Sequence, residues 1–221
     1  MSIGDTWNRL EMLFRQKYPG NVDFLLPGAT SEELQQLKVC FGPVPEDMQA
    51  VWSIHNGERW NGNAGVIPGF EVLNIKRIME IQSALNEIAV IMSEEESNEF
   101  ESEILPVEAG NFHVYSLKTL VFADNGAGDS LVLDFDPGPK GTMGQVTHVG
   151  PDEKTRYILA ADLEAFLELL IWIHSDPRST FVVSDNQGIE FNWLNGDDPP
   201  IDNLMTLRHI LYREGKLYQP S

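Results

Sequence analysis

The sequence predicts an α+β fold, with a central, mostly antiparallel sheet that contains a β-meander and is packed by helices. The first observation behind this is the stretch from Leu120 to Val149. Apolar runs at Leu117 to Phe122 and Ser130 to Phe135 flank Asp124, Asn125, Gly126, Ala127 and Gly128, and a third run begins at Gln145 after a Pro/Gly-rich loop. Short β-rich runs bounded by Asn, Asp and Gly read as strands joined by turns. The second observation is that apolar residues on both sides of the meander recur at helical spacing. The third is composition: 221 residues with 42% hydrophobic and 10% aromatic content can bury a substantial core. Residues 1–173 read as one domain, with 174–221 as a C-terminal extension packed on it.

Taken in order, Asp5 is placed to cap a first helix whose stripe is Trp7, Leu10, Leu13 and Phe14, ending near Pro19 and Gly20. Thr30 and Glu33 form a capping-box pattern ahead of Leu34 and Leu37. Pro45 suits a first helical position, and Glu46 and Asp47 suit the positive end of that helix dipole. Met48, Val51, Trp52 and His55 share its inner face, and Asn56-Gly57 supplies a left-handed stop. A long helix is expected over Ile75 to Met92. Glu94, Glu95, Glu96, Glu99, Glu101 and Glu103 then crowd a segment without apolar periodicity, which reads as a solvated loop. After the meander and a helix near Leu159 to Leu170, FVVSD and IEFNW flank a Gly188 turn as a hairpin. Asn203 to Arg213 forms a last helix, with Leu204, Leu207, Ile210 and Leu211 on one side.

Leu26 to Gly57 combines a Pro-Gly-Ala-Thr helix start, a Glu-Glu-Leu helix, Pro-Glu-Asp and a terminal His-Asn-Gly. This run resembles the opening half of the SUKH superfamily, the Smi-type and Knr-type domains. Gly69 to Ile75 (GFEVLNI), Gly128 to Val146 (GDSLVLDFDPGPKGTMGQV) and Leu159 to Leu170 resemble later signatures of that superfamily, in the right order. The resemblance covers roughly Trp7 to Ile173. It implies a non-enzymatic binding role: bacterial members are commonly immunity proteins against a co-encoded toxin, often a nuclease, and fungal relatives act in cell-wall signalling.

Charge narrows the partner. Against 15 Lys plus Arg stand 34 Asp plus Glu, for a formal net charge of -19. Such a polyanion repels phosphate backbones and anionic headgroups, so direct nucleic-acid and membrane binding are disfavoured and a basic partner protein is favoured. The candidate partner-binding residues are Trp60, Glu94, Glu95, Glu96, Glu99, Glu101, Glu103, Asp124, Asp129 and Asp136. Trp60 is singled out because an aromatic among Gly and Asn residues suits an interface anchor.

The chemistry-bearing patterns are weaker. Asp134-Phe135-Asp136 has the spacing of a phosphatase aspartate pair, but Pro137 and a following strand replace the expected geometry, leaving a strand end with turn-stabilising carboxylates. Asp124, Asp129, Asp134 and Asp136 lack the spacing of a calcium loop. The five histidines are scattered without zinc-ligand spacing, and no metal or cofactor is expected. The single cysteine, Cys40, reads as a small buried hydrophobe in a reducing compartment. Without a signal-like start or an apolar segment near the roughly 20 residues a bilayer requires, the reading is a cytoplasmic protein. The expected function is neutralisation of a basic toxin domain. The alternative is a regulatory adaptor for endogenous proteins, and the remote one a metal-dependent hydrolase using Asp134 and Asp136.

Overall fold

The computed structural model describes residues 2–20, 22–59, 65–91, 103–110, 116–150, 155–183, 189–196 and 198–220. The first helix, α1 (Ile3–Lys17), is capped by Ser2 rather than Asp5. Asp5 is the third helical residue, and its carboxylate accepts from the Ser2 amide at 3.0 Å while the Ser2 hydroxyl accepts from the Asp5 amide at 3.3 Å. This reciprocal box satisfies two end donors at once, which an Asp at the cap alone would not. The same arrangement, between Thr30 and Glu33, opens α2 (Ser31–Phe41) as the sequence predicts. In α3 (Glu46–Ile54), Pro45 occupies the cap position, one residue earlier than expected. His55 lies past the helix in extended conformation, where its Nδ1 meets the Leu26 carbonyl at 2.7 Å and its Nε2 meets Glu11 at 3.1 Å. Gly57 has φ +73°, and a Cβ there would collide with the Leu73–Asn74 backbone. Close approach and left-handed conformation together explain the glycine.

The meander forms as β3 (Thr119–Asp124), β4 (Ser130–Asp134) and β5 (Gln145–Val149). With β1 (Glu71–Val72), which leads into α4 (Ile75–Ile91), they make an antiparallel sheet of order β1-β3-β4-β5. A bulge between Val121 and Ala123 keeps Phe122 on the helical side, where it meets Trp52 and Phe166 edge-on. Phe166 belongs to α5 (Leu163–Ser175), which runs parallel to α1. Thr6 meets Glu164, Arg9 meets Glu168 and Lys17 meets the Asp176 carbonyl, so residue numbers rise together along both helices. Alternate residues of β4 and β5 point to opposite faces, yet all of them are buried, so both faces of the sheet are covered.

Both outer edges of this sheet are partly covered. At the β5 side, Val146 donates to the Ala160 carbonyl and Leu159 donates to Val146, continuing past β6 (Thr155–Tyr157). The strand β2 (Glu103–Leu105) pairs in parallel with β6. At the opposite side β1 is only two residues long, and buried polar side chains extend the closure. Glu58, 2% exposed, gives its N–H to the Val72 carbonyl at 2.7 Å and takes the Val72 N–H on its carboxylate at 3.2 Å. Where β1 has ended, the Val121 N–H of β3 donates to Gln82 Oε1 of α4 at 2.8 Å. These side chains supply acceptors that a longer neighbouring strand would otherwise provide, so the buried Val72 and Val121 amides are both paired.

The C-terminal residues form a second antiparallel sheet, β7 (Ser179–Val183), β8 (Ile189–Asn195) and β9 (Asp198–Ile201), followed by α6 (Leu204–Arg213). Asn203 caps α6. Phe191, Trp193, Leu204, Leu207 and Leu211 join the apolar cluster that holds Phe14, Trp52 and Phe122. Phe181 packs edge-on against Phe14 of the first helix and Tyr18 at its C-cap, and the Leu204 amide donates to the Pro68 carbonyl. Among the described residues, no helix is long and apolar enough to cross a membrane.

Candidate functional site

The turn carboxylates singled out in the sequence are separated and locally engaged. Asp124 and Asp129 flank the β3–β4 turn, whereas Asp134 and Asp136 lie at the far end of β4. Five strand residues at ~3.3 Å each put the two groups roughly 17 Å apart, so the four do not converge on one ion. Asp124 accepts from the Gly126 amide at 2.8 Å and the Ser130 hydroxyl at 2.8 Å. Asn125 accepts from the Ala127 and Asp129 amides and donates to the Asp129 carboxylate. The turn is stapled by its own side chains, the common use of Asp and Asn there. No group of three or more His, Cys, Asp or Glu among the described residues is placed to hold a metal ion.

At the other end of β4, Asp134 is 6% exposed. One carboxylate oxygen accepts from the Asp136 amide at 2.9 Å and the other from Gln145 Nε2 at 3.0 Å. Gln145 Nε2 also reaches the Ala109 carbonyl, tying the sheet to the segment after β2. Asp136 meets Lys118 Nζ at 3.0 Å. Asp134 and Asp136 line a shallow cleft with Thr119, Thr147 and Arg156. Burial pulls the Arg156 guanidinium down to about 10, with Asp134 acting in the opposite direction. A carboxylate this enclosed, with both oxygens occupied, suits fixing a turn and balancing a buried cation better than nucleophilic attack.

One cluster of described carboxylates was not foreseen. The N-termini of α3 and α5 bring Glu46, Asp47, Asp162 and Glu164 together. Asp162 caps α5, accepting from the Ala165 amide at 2.7 Å, and Glu164 accepts from the Thr6 hydroxyl at 3.3 Å. Partial burial, and then the charges of Glu164, Asp162 and Glu46, raise the Asp47 carboxyl above its ordinary value. Two helix starts each favour acids in their first turn, which is the only local signal; their meeting is a tertiary event.

Of the other predicted residues, Trp60, Glu94, Glu95, Glu96, Glu99 and Glu101 lie outside the described residues. Glu103 is exposed at the start of β2. Cys40 is exposed rather than buried, because α2 turns Leu37 inward and leaves Val39 and Cys40 on the outer side.

Comparison with known proteins fixes the family. The profile of the SMI1 / KNR4 family (SUKH-1) matches residues 28–169, more than half of the chain. The "Cell wall biosynthesis/cell cycle regulator smi1" of Schizosaccharomyces pombe is 24% identical over 182 residues, covering 77% of this chain and 36% of that protein. "KNR4/SMI1 homolog 2" of Debaryomyces hansenii is 21% identical over 202 residues, 75% of this chain and 34% of its own length. The "Glucan synthesis regulatory protein" of Neurospora crassa is 21% identical over 200 residues, 76% of this chain and 37% of its own. The chain therefore spans about a third of the length of these curated relatives. Two of these names describe regulators and none supports the toxin-neutralising expectation, favouring the adaptor alternative instead. By its profile match and by the α+β architecture that accompanies it, the chain belongs to the SMI1 / KNR4 family (SUKH-1).

Proposed function

We propose that this chain is a non-enzymatic regulatory domain that binds an endogenous basic protein, as an adaptor in cell-wall or glucan-synthesis control. The observation that carries this reading is the family match over residues 28–169 together with relatives named as wall and glucan-synthesis regulators. The engagement of Asp134 and Asp136 in turn and ion-pair contacts supports a binding role over hydrolysis. The carboxylates of Glu46, Asp47, Asp162 and Glu164 are the favoured contact for the basic partner, since clustered charge of one sign speeds association and selects its complement. The working compartment is the cytoplasm, where the free thiol of Cys40 stays reduced.

Affinity capture from the native organism, at ~0.05 M and ~0.5 M salt, separates the readings because exposed charge pairs are screened at the higher value. The adaptor reading expects an endogenous partner that acts in wall or glucan synthesis, retained at low salt and weakened by Asp47→Asn with Glu164→Gln. Recovery of a toxic protein encoded beside this chain, neutralised on binding, would replace it with the immunity reading.

A further inference from the structure

The second sheet treats its two edges differently. The edge strand β9 carries Pro199 and Pro200, which have no N–H to offer a further strand. The other edge is β7. Leu194 donates to the Arg178 carbonyl, and Ser179 is paired with Trp193 in register. In antiparallel pairing this makes Thr180 and Val182 the residues whose N–H and C=O face β8. Ser179, Phe181 and Val183 therefore point their backbone groups outward. Ser179 is provided for: its amide donates to the Asp176 carbonyl, and its carbonyl accepts from Lys17 Nζ at 3.0 Å. Among the described residues, no hydrogen bond reaches Phe181 or Val183 from that side. Beside this opening, Val182 is 42% and Val183 61% exposed, and Glu190, directly across from Val182, is exposed as well.

We infer that the outer edge of β7 is a strand-addition site for an extended, basic segment of a partner protein. The backbone supplies the hydrogen bonds of an added strand, and the exposed valines offer apolar contact to alternate side chains of the incoming segment. Its charge class follows from the net charge of -19 on the whole chain, with the exposed Glu190 one strand in from the edge. The same charge opposes a second copy, whose edge would bring an equal negative body alongside. This inference concerns a different surface from the α3–α5 carboxylates and stands whether or not the partner acts in wall synthesis.

The test uses the full-length protein and a blocked peptide of sequence KVTVKVK as the probe, with EVTVEVE as its acidic control. Amide hydrogen exchange read by NMR should slow by about tenfold or more at Phe181 and Val183 when the basic peptide is present, as new edge hydrogen bonds form. The acidic peptide should bind about tenfold more weakly. Val183→Pro removes an outward N–H without touching the β8 ladder, so it should abolish the protection at Phe181 while leaving the melting temperature nearly unchanged. Val183→Lys keeps the backbone and should weaken the basic peptide by charge alone. An absence of protection at Phe181 and Val183 in the unmodified protein, or equal binding by both valine variants, would overturn the inference. So would a concentration-dependent dimer that Val183→Pro dissolves, which would assign the edge to a second copy.

Discussion

At the outer side of β1, the Val72 N–H and C=O both find Glu58, and a few residues along, the Val121 N–H of β3 finds Gln82. At the outer side of β7, Phe181 and Val183 have no such partner among the described residues. The difference follows from depth. Val72 and Val121 are 4% and 0% exposed, so an unpaired amide there would carry the full desolvation cost of a buried polar group. Val183 is 61% exposed, and water can serve its backbone until a partner does. Closure is thus a requirement of burial in the central sheet, and openness is tolerated where the second sheet meets solvent.

The largest expected effect separates the two regions by packing. Phe122→Ala, which removes a ring held between Trp52 and Phe166, should lower stability by about 3–5 kcal/mol in urea unfolding. Val183→Ala should change it by less than about 0.5 kcal/mol. Comparable losses would show that the second sheet is as integral as the first.

Next comes the pH response of the closed edge. Burial raises the Glu58 carboxyl from 4.5 to about 7, while the Val66 and Val72 amides pull the other way. A raised carboxyl stabilises the fold fully below pH 4.5, and that contribution, about 3 kcal/mol, is lost as pH rises to about 7. His174, fully buried with its Nε2 on the Val66 carbonyl, is lowered by burial from 6.5 to about 4. Its contribution is full above pH 6.5 and is lost as pH falls toward about 4. Between pH 4.5 and 6.5 the two slopes oppose each other. Glu58→Gln removes one of them, so the variant's stability should rise with pH by about 1.4 kcal/mol per unit more steeply than the unmodified protein's. Equal slopes in urea titrations across that interval would contradict the burial of Glu58.

Gln82→Leu tests the side-chain closure itself. It keeps the apolar bulk but leaves the Val121 amide unpaired, and an expected loss of about 1–3 kcal/mol follows. Val183→Pro should have the smallest effect of the backbone-directed changes, below about 1 kcal/mol, because its N–H pairs with nothing in the sheet. If Val183→Pro proved the more damaging of the two, the assignment of sealed and open edges would be reversed.

The elements legible in the sequence were those with local signals. The Thr30–Glu33 box, the 75–91 helix, the meander, the β7–β8 hairpin and the last helix are written in spacing and turn residues a few positions apart. The closures were not, because each joins residues far apart in the chain. Gln82 did leave a trace: it stands on the stripe of Ile75 and Ile78, where a polar residue needs a buried partner. Glu58 left none beyond its place after the Gly57 stop. The meander's Asp residues illustrate the converse, since their types suggested a site but their distances assigned them to turns. Likewise, the acidic total pointed to a basic partner, whereas the concentration of Asp47, Asp162 and Glu164 needed two helices to meet.

Residue-resolved amide hydrogen exchange on the full chain tests the contrast between the two edges most directly. The Val72 and Val121 amides should exchange only through global unfolding, and the Val183 amide at close to the rate of an unprotected residue. Rapid exchange at Val72 and Val121, or protection at Val183 equal to theirs in the absence of any partner, would contradict it.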